Sequence, residues 1–112
     1  MRSKIIALTK KEEFKNLIKK KMVSNKYVTI FFGCLKGKDI NKLNISFVTK
    51  KKIGNAVKRN KIKRRLRNIM NDAIKNIKVK LKYSYLVIAK PTILENDYSD
   101  IKRVLFQEFK RI

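Results

Sequence analysis

The apolar positions change period several times along the chain, and each change marks an element. Phe14, Leu17, Ile18 and Met22 recur at the spacing of one helix face, which predicts a short amphipathic helix over residues 10–22. It opens on Thr9-Lys10-Lys11-Glu12, a pattern suited to a capping box in which each end satisfies a free backbone N–H of the other. Residues 26–35 are rich in aromatic and β-branched side chains and read as a strand. Lys36-Gly37-Lys38-Asp39 is turn chemistry, and residues 43–49 set Leu43, Ile45 and Phe47 against Asn44 and Ser46, as the returning strand of a hairpin would. Lys50-Lys51-Lys52-Ile53-Gly54-Asn55 is a basic loop in which Gly54 can take backbone angles that other residues avoid. A long helix follows over 56–80, with an apolar stripe of Ile62, Leu66, Ile69, Ala73 and Ile77 and with Met70 beside it. Residues 84–90 return to strand texture and stop at Pro91. Asp97 then caps a last helix that turns Ile101, Val104, Leu105 and Phe109 inward.

The predicted order is helix, strand, strand, helix, strand, helix. It describes an α+β two-layer sandwich, a small sheet covered by helices, folded as a single domain over residues 1–112. A chain of 112 residues carries one modest core. The link between strands 43–49 and 84–90 runs through a helix, and the general rule makes such a crossover right-handed.

Charge changes the picture. Lys and Arg number 31 against 8 Asp and Glu, a net charge of +23, which a compact chain tolerates best beside a polyanion. The 44% hydrophobic content excludes a wholly disordered basic tail. No stretch approaches the ~18 to 20 apolar residues of a bilayer span, and residues 1–11 hold no apolar run suited to a signal peptide. Cys34, alone in an apolar run, reads as a small core residue, and the protein is expected to be cytoplasmic and free of disulfides. There is no His and no second Cys. Glu12 and Glu13 are neighbours that point different ways on a helix, and Asp72, Glu95, Asp97, Asp100 and Glu108 are scattered. A protein nuclease gathers acids for a metal or histidines for proton transfer, and neither is at hand. The expectation is no catalytic residue and no metal site in the protein.

The segment with most chemical content is Lys58-Arg59-Asn60-Lys61-Ile62-Lys63-Arg64-Arg65-Leu66-Arg67. Asn60, Arg64, Arg67 and Asn71 share one stripe nearly opposite the core stripe, with Lys61 and Lys63 flanking it. Arginine forks match phosphate oxygens two at a time, and asparagine reaches bases or 2′-hydroxyls. Lys50, Lys51 and Lys52 precede the helix, where free N–H groups also favour phosphate. Solvated helix faces usually mix signs in paired charges, yet residues 50–67 contain no acid. A cationic helix lying on a membrane is disfavoured by the lack of Trp and by the sheet this apolar stripe must cover. Charge and shape together leave three readings open: a subunit of a ribonucleoprotein enzyme, a small ribosomal protein, or a nonspecific DNA-binding nucleoid protein.

Residues 51–64, Lys-Lys-Ile-Gly-Asn-Ala-Val-Lys-Arg-Asn-Lys-Ile-Lys-Arg, closely resemble the signature of the bacterial ribonuclease P protein subunit. The resemblance extends from Leu8-Thr9-Lys10-Lys11-Glu12-Glu13-Phe14 through Tyr85-Leu86-Val87-Ile88-Ala89-Lys90-Pro91 to the final helix. It implies a protein that joins a catalytic RNA and helps it cut the 5′ leader from precursor tRNA. Mg²⁺ then acts through the RNA, with no cofactor in the protein and neither a membrane nor a protein partner involved. It also implies a left-handed strand–helix–strand crossover, in place of the general rule. By position, the expected RNA-contacting residues are Lys50, Lys51, Lys52, Asn55, Lys58, Arg59, Asn60, Lys61, Lys63, Arg64 and Arg67. Lys61 stands where the family has a second arginine, which keeps the charge and loses the fork. The resemblance further implies a cleft between the sheet and the first helix that holds the single-stranded leader. Phe14 matches an aromatic of that cleft, and Ile18 stands where a second aromatic is expected. Val28, Ile30 and Phe32 are the expected sheet residues of the cleft, and a register error of one residue would put Tyr27, Thr29 and Phe31 there instead.

Overall fold

The computed structural model describes residues 5–112. Its elements are β1 (Ile5–Ile6), α1 (Lys11–Ile18), β2 (Lys21–Ser24), β3 (Val28–Gly33), β4 (Leu43–Val48), α2 (Ala56–Asn76), β5 (Ser84–Ala89) and α3 (Tyr98–Arg111), with 3-10 turns at Lys51–Ile53 and Pro91–Glu95. The α+β class is as expected, but the order gains two strands. The sheet runs β1–β4–β5–β3–β2, so β3 and β4 are not hairpin partners. β5 lies between them, antiparallel to β3 and parallel to β4. A turn-rich segment of 34–42 looks like a hairpin loop locally, but strand order depends on long-range pairing that local turn chemistry does not encode.

The first helix is shorter than its apolar pattern. It stops at Ile18, and the following residues form the edge strand β2, in which Met22 pairs opposite Phe31 and is 56% exposed. Its cap also moves by one residue. The Glu13 carboxylate accepts from the backbone N–H of Thr9 (3.4 Å) and Lys10 (3.1 Å), and Lys10, not Thr9, holds the cap position. α2 begins where Asn55 Oδ1 accepts from the Lys58 backbone N–H at 2.9 Å. It ends at Asn76 instead of residue 80, because Ile77 turns to extended backbone and Val79, Leu81 and Tyr83 pack against the core from a loop. Gly54 is also extended (φ 161°), an angle open to any residue, with the flexible Lys58 side chain 3.0 Å from where a Cβ would stand. Positive φ among the described residues falls at Gly37 (75°), in the turn after β3. Cys34, expected in the core, is exposed just past the end of β3.

The two faces of the sheet differ. On one, Val28, Ile30 and Phe32 of β3, Leu43 and Ile45 of β4, and Tyr85, Val87 and Ala89 of β5 are buried beneath α2 and α3. α2 contributes Ile62, Leu66, Ile69, Met70 and Ala73, and α3 contributes Ile101, Leu105 and Phe109. Burial raises the Tyr85 phenol well above its ordinary pKa, and its O–H donates to the Lys80 carbonyl at 2.6 Å. On the other face a smaller cluster forms around Leu8, Leu17 and Leu86, with Phe14, Phe31, Leu35, Val48 and Ile88 half-buried around it. Ser46 ties this layer down: its hydroxyl accepts from the Leu8 backbone N–H (2.7 Å) and donates to the Leu8 carbonyl (3.0 Å).

Four of the eight acids hold elements together. Glu13 pairs with Lys38, Asp72 of α2 with Lys102 of α3 (2.8 Å), and Glu108 accepts from the Asn25 side chain (3.1 Å). Asp100 accepts from the buried Tyr27 hydroxyl and from Arg103. The Tyr27 hydrogen bond and then Arg103 hold Asp100 below the usual carboxylate value of 3.8, and Lys102 does the same for Asp72. A depressed folded-state pKa stabilises the fold above the unfolded value and stops doing so as pH falls through the folded one. Thermal melts from pH 5 down to pH 2 should therefore show a shallower acid loss for an Asp72→Asn/Asp100→Asn variant than for the parent. Parallel curves would mean that neither pair contributes to the acid limb.

Candidate nucleic-acid interface

The long basic helix presents its charge on separate surfaces. Asn60, Lys63, Arg64 and Arg67, spaced three and four residues apart, line one shallow depression on the outer face of α2. All four are exposed, and Asn71, one turn further on, is half-buried. Lys50, Lys51 and Lys52 are exposed in the approach to α2, around the 3-10 turn whose Ile53 is buried as an anchor. Lys58 and Lys61 lie on a different flank, facing a groove beside α3, together with Arg65. Sequence reasoning omits Arg65 from the candidate set, although it follows Lys61 by one helical turn in the same acid-free run. Arg59 is half-buried, and its Nε has no hydrogen-bond partner among the described residues. Asn55 uses its side-chain oxygen to start the helix.

The expected cleft needs a correction. Val28, Ile30 and Phe32 are buried beneath α2 and α3, on the opposite side of the sheet from α1. Side chains alternate along a strand, so the α1 side of β3 carries Thr29 and Phe31. Strand pairing sets Ser46, Leu86 and Phe31 in one row across the sheet, and Val48, Ile88 and Thr29 in the next. Phe14 packs on this side, and Ile18, one helical turn on, is 52% exposed at the helix end. The half-buried strip between α1 and the sheet is therefore Phe14, Phe31, Val48 and Ile88, of which sequence reasoning puts Phe14 first. The strand 26–35 is apolar on both faces, so its alternation gives no direction.

Among the described residues no three of His, Cys, Asp or Glu come together where they could hold a metal ion. No helix among them is long and apolar enough to cross a membrane. What this surface offers is exposed cations, amide groups and a half-buried apolar strip, a set suited to binding a polyanion with accessible bases.

The family profile of Ribonuclease P matches residues 3–112. The chain belongs to the ribonuclease P protein family. It is 33% identical over 105 residues to the ribonuclease P protein component of Bacillus pumilus, covering 93% of this chain and 85% of that one. The ribonuclease P protein component of Mycoplasma capricolum is 31% identical over 106 residues, covering 94% of each. In fold, the chain is similar to the RNase P protein from Thermotoga maritima, with a TM-score of 0.80, 24% identity, and coverage of 96% of this chain and 97% of that structure. The ribonuclease P match spans every element described above, so the α2 stripe and the α1 strip both lie inside the matched region.

Proposed function

We propose that this chain is the protein subunit of a ribonuclease P ribonucleoprotein, which removes the 5′ leader from precursor tRNA. In this reading it binds the catalytic RNA through α2 and the leader through the strip under α1, and it does not itself catalyse. The observation that carries the proposal is the acid-free group of Asn60, Lys63, Arg64 and Arg67 on the outer face of α2, in a chain of this family. Two arginine forks and a lysine in one depression fit neighbouring phosphates of a folded RNA. Lys50, Lys51 and Lys52, exposed just before the helix, add further cations at its start. Four of the eight acids, Glu13, Asp72, Asp100 and Glu108, are engaged in contacts between elements.

Hydrolysis of a phosphodiester needs an activated water and stabilised charge. Mg²⁺ bound to RNA would supply that chemistry; among the described residues the acids are dispersed and gather no metal site of their own. The protein lowers repulsion between two polyanions and orients the substrate. Crosslinking this protein to RNA in cells, followed by sequencing, should recover one abundant ribonuclease P RNA together with precursor tRNA. Recovery of ribosomal RNA or of DNA in its place would contradict the proposal.

The leader strip gives a second expected outcome. Phe14→Ala should weaken binding of precursor tRNA to the reconstituted holoenzyme by about 1 to 3 kcal/mol, the usual worth of a base stacked on an aromatic ring. Mature tRNA, which lacks the leader, should bind almost as before. Equal losses for both RNAs would show that Phe14 only packs the α1 layer.

A further inference from the structure

A second groove, separate from the α2 stripe and the α1 strip, lies between α2 and the chain that enters α3, with a volume of about 260 Å³. Its floor is apolar core, and its mouth is formed by Leu94, 44% exposed, and the half-buried Tyr98. Lys58, Lys61 and Arg65 stand along its α2 side, and no acid among the described residues lines it. Tyr98 packs one side of its ring on the core, whereas Leu94 stands outside it, an exposed leucine beside three cations.

We propose that this groove takes one unpaired nucleotide of the RNA partner. The base enters against Leu94 and Tyr98, and its flanking phosphates lie on Lys58, Lys61 and Arg65. The lining decides the class of occupant: three cations without an acid favour a phosphate-bearing group, and the apolar mouth with its aromatic ring favours a base over phosphate alone. Size limits it to a small group, since about 260 Å³ falls below the roughly 300 to 1,000 Å³ of drug-sized sites. A base inside a helix is not free to enter, so the nucleotide must be unpaired. Position supports the same occupant. Lys61 follows Asn60 by one residue, about 100° around the same helix, so an RNA crossing the outer stripe reaches this rim without leaving α2. The inference rests on α2 being an RNA-binding helix and adds a base-recognition site to it.

The test compares the full-length protein with Leu94→Ser, Tyr98→Ala and a control, Ile40→Ser, at a residue 64% exposed in the loop before β4. Each is titrated with the catalytic ribonuclease P RNA across a salt series, and the bound RNA is probed for 2′-hydroxyl reactivity. Leu94→Ser and Tyr98→Ala should each bind about tenfold more weakly, with the salt slope unchanged because every cation stays in place. One nucleotide, quiet in the wild-type complex, should become reactive in both, and Ile40→Ser should match wild type. Because Leu94 is exposed, Leu94→Ser should keep the parent melting temperature even if Tyr98→Ala does not. If Leu94→Ser binds as wild type and no nucleotide changes reactivity, the groove proposal is overturned while the α2 reading stands. If the wild-type protein shows no salt-dependent binding to that RNA, the α2 reading and the groove fall together.

Discussion

Replacing Asn60, Lys63, Arg64 and Arg67 together by alanine is expected to weaken binding to the catalytic RNA by roughly 10²- to 10³-fold near physiological salt. Three of the four are cations in one depression, and charge-assisted hydrogen bonds are worth about 1.5 to 3 kcal/mol each before partial compensation by water and neighbouring lysines. The salt dependence is the sharper readout. Each phosphate left without its cation should lower the magnitude of the log–log slope by about 0.7 to 0.9, so removing three cations should lower it by about 2 to 3. Arg64→Ala and Arg67→Ala should each show a share of the same change. All four side chains are exposed, so the melting temperature should hold. A quadruple variant that binds like wild type at every salt concentration would reduce the stripe to a solvated helix face.

The second large effect concerns the layer beneath that helix. Phe109 of α3 is 2% exposed, and its ring meets that of Tyr85 edge-on, 5.2 Å between centroids at 62°. Tyr85 in turn lies in β5, the strand joining the two halves of the sheet. Phe109→Ala leaves a cavity in the main core cluster, and such changes cost about 3 to 5 kcal/mol. Small domains are stable by only about 5 to 15 kcal/mol, so the loss is a large share of the total. At about 4 to 8 °C per kcal/mol for a domain near this size, the midpoint should fall by at least roughly 12 °C. Ile40→Ala, at an exposed loop position, should melt with the parent. A Phe109→Ala midpoint within a few degrees of wild type, taking about 4 °C as the smallest shift per kcal/mol, would show that α3 does not close the core.

Legibility in the sequence follows the length and regularity of each element. α2 and α3 are readable because each repeats an apolar stripe over several turns, and the buried residues Ile62, Leu66, Ile69, Ala73, Ile101, Leu105 and Phe109 are those the period selects. β2 is not, because Met22 fits the α1 stripe as well as it fits an edge strand, and four exposed or half-buried residues leave no alternation to detect. β1, two residues pairing with Leu43 and Asn44, is below any pattern. The strand–helix–strand order announces the parallel crossover from β4 to β5, but the antiparallel pairing that sets β5 beside β3, in place of a β3–β4 hairpin, has no local signal. At the candidate site, the α2 stripe is legible because helical spacing alone assembles it. The sheet side of the α1 strip is not, since Val28 through Phe32 holds apolar residues in both registers. The groove at Leu94 and Tyr98 joins two elements far apart in sequence and has no motif of its own.

Reconstituted cleavage of precursor tRNA decides whether the protein assists an RNA catalyst or cuts by itself. Three reactions suffice: protein alone, catalytic RNA alone, and the two together, each across a range of Mg²⁺ and monovalent salt. The protein alone should cleave nothing at any Mg²⁺ concentration. The RNA alone should cleave slowly at high Mg²⁺, and adding the +23 protein should restore activity near physiological salt, with a benefit that shrinks as divalent ions screen the same charges. RNA-free protein that produced a correct mature 5′ end would contradict this division of labour.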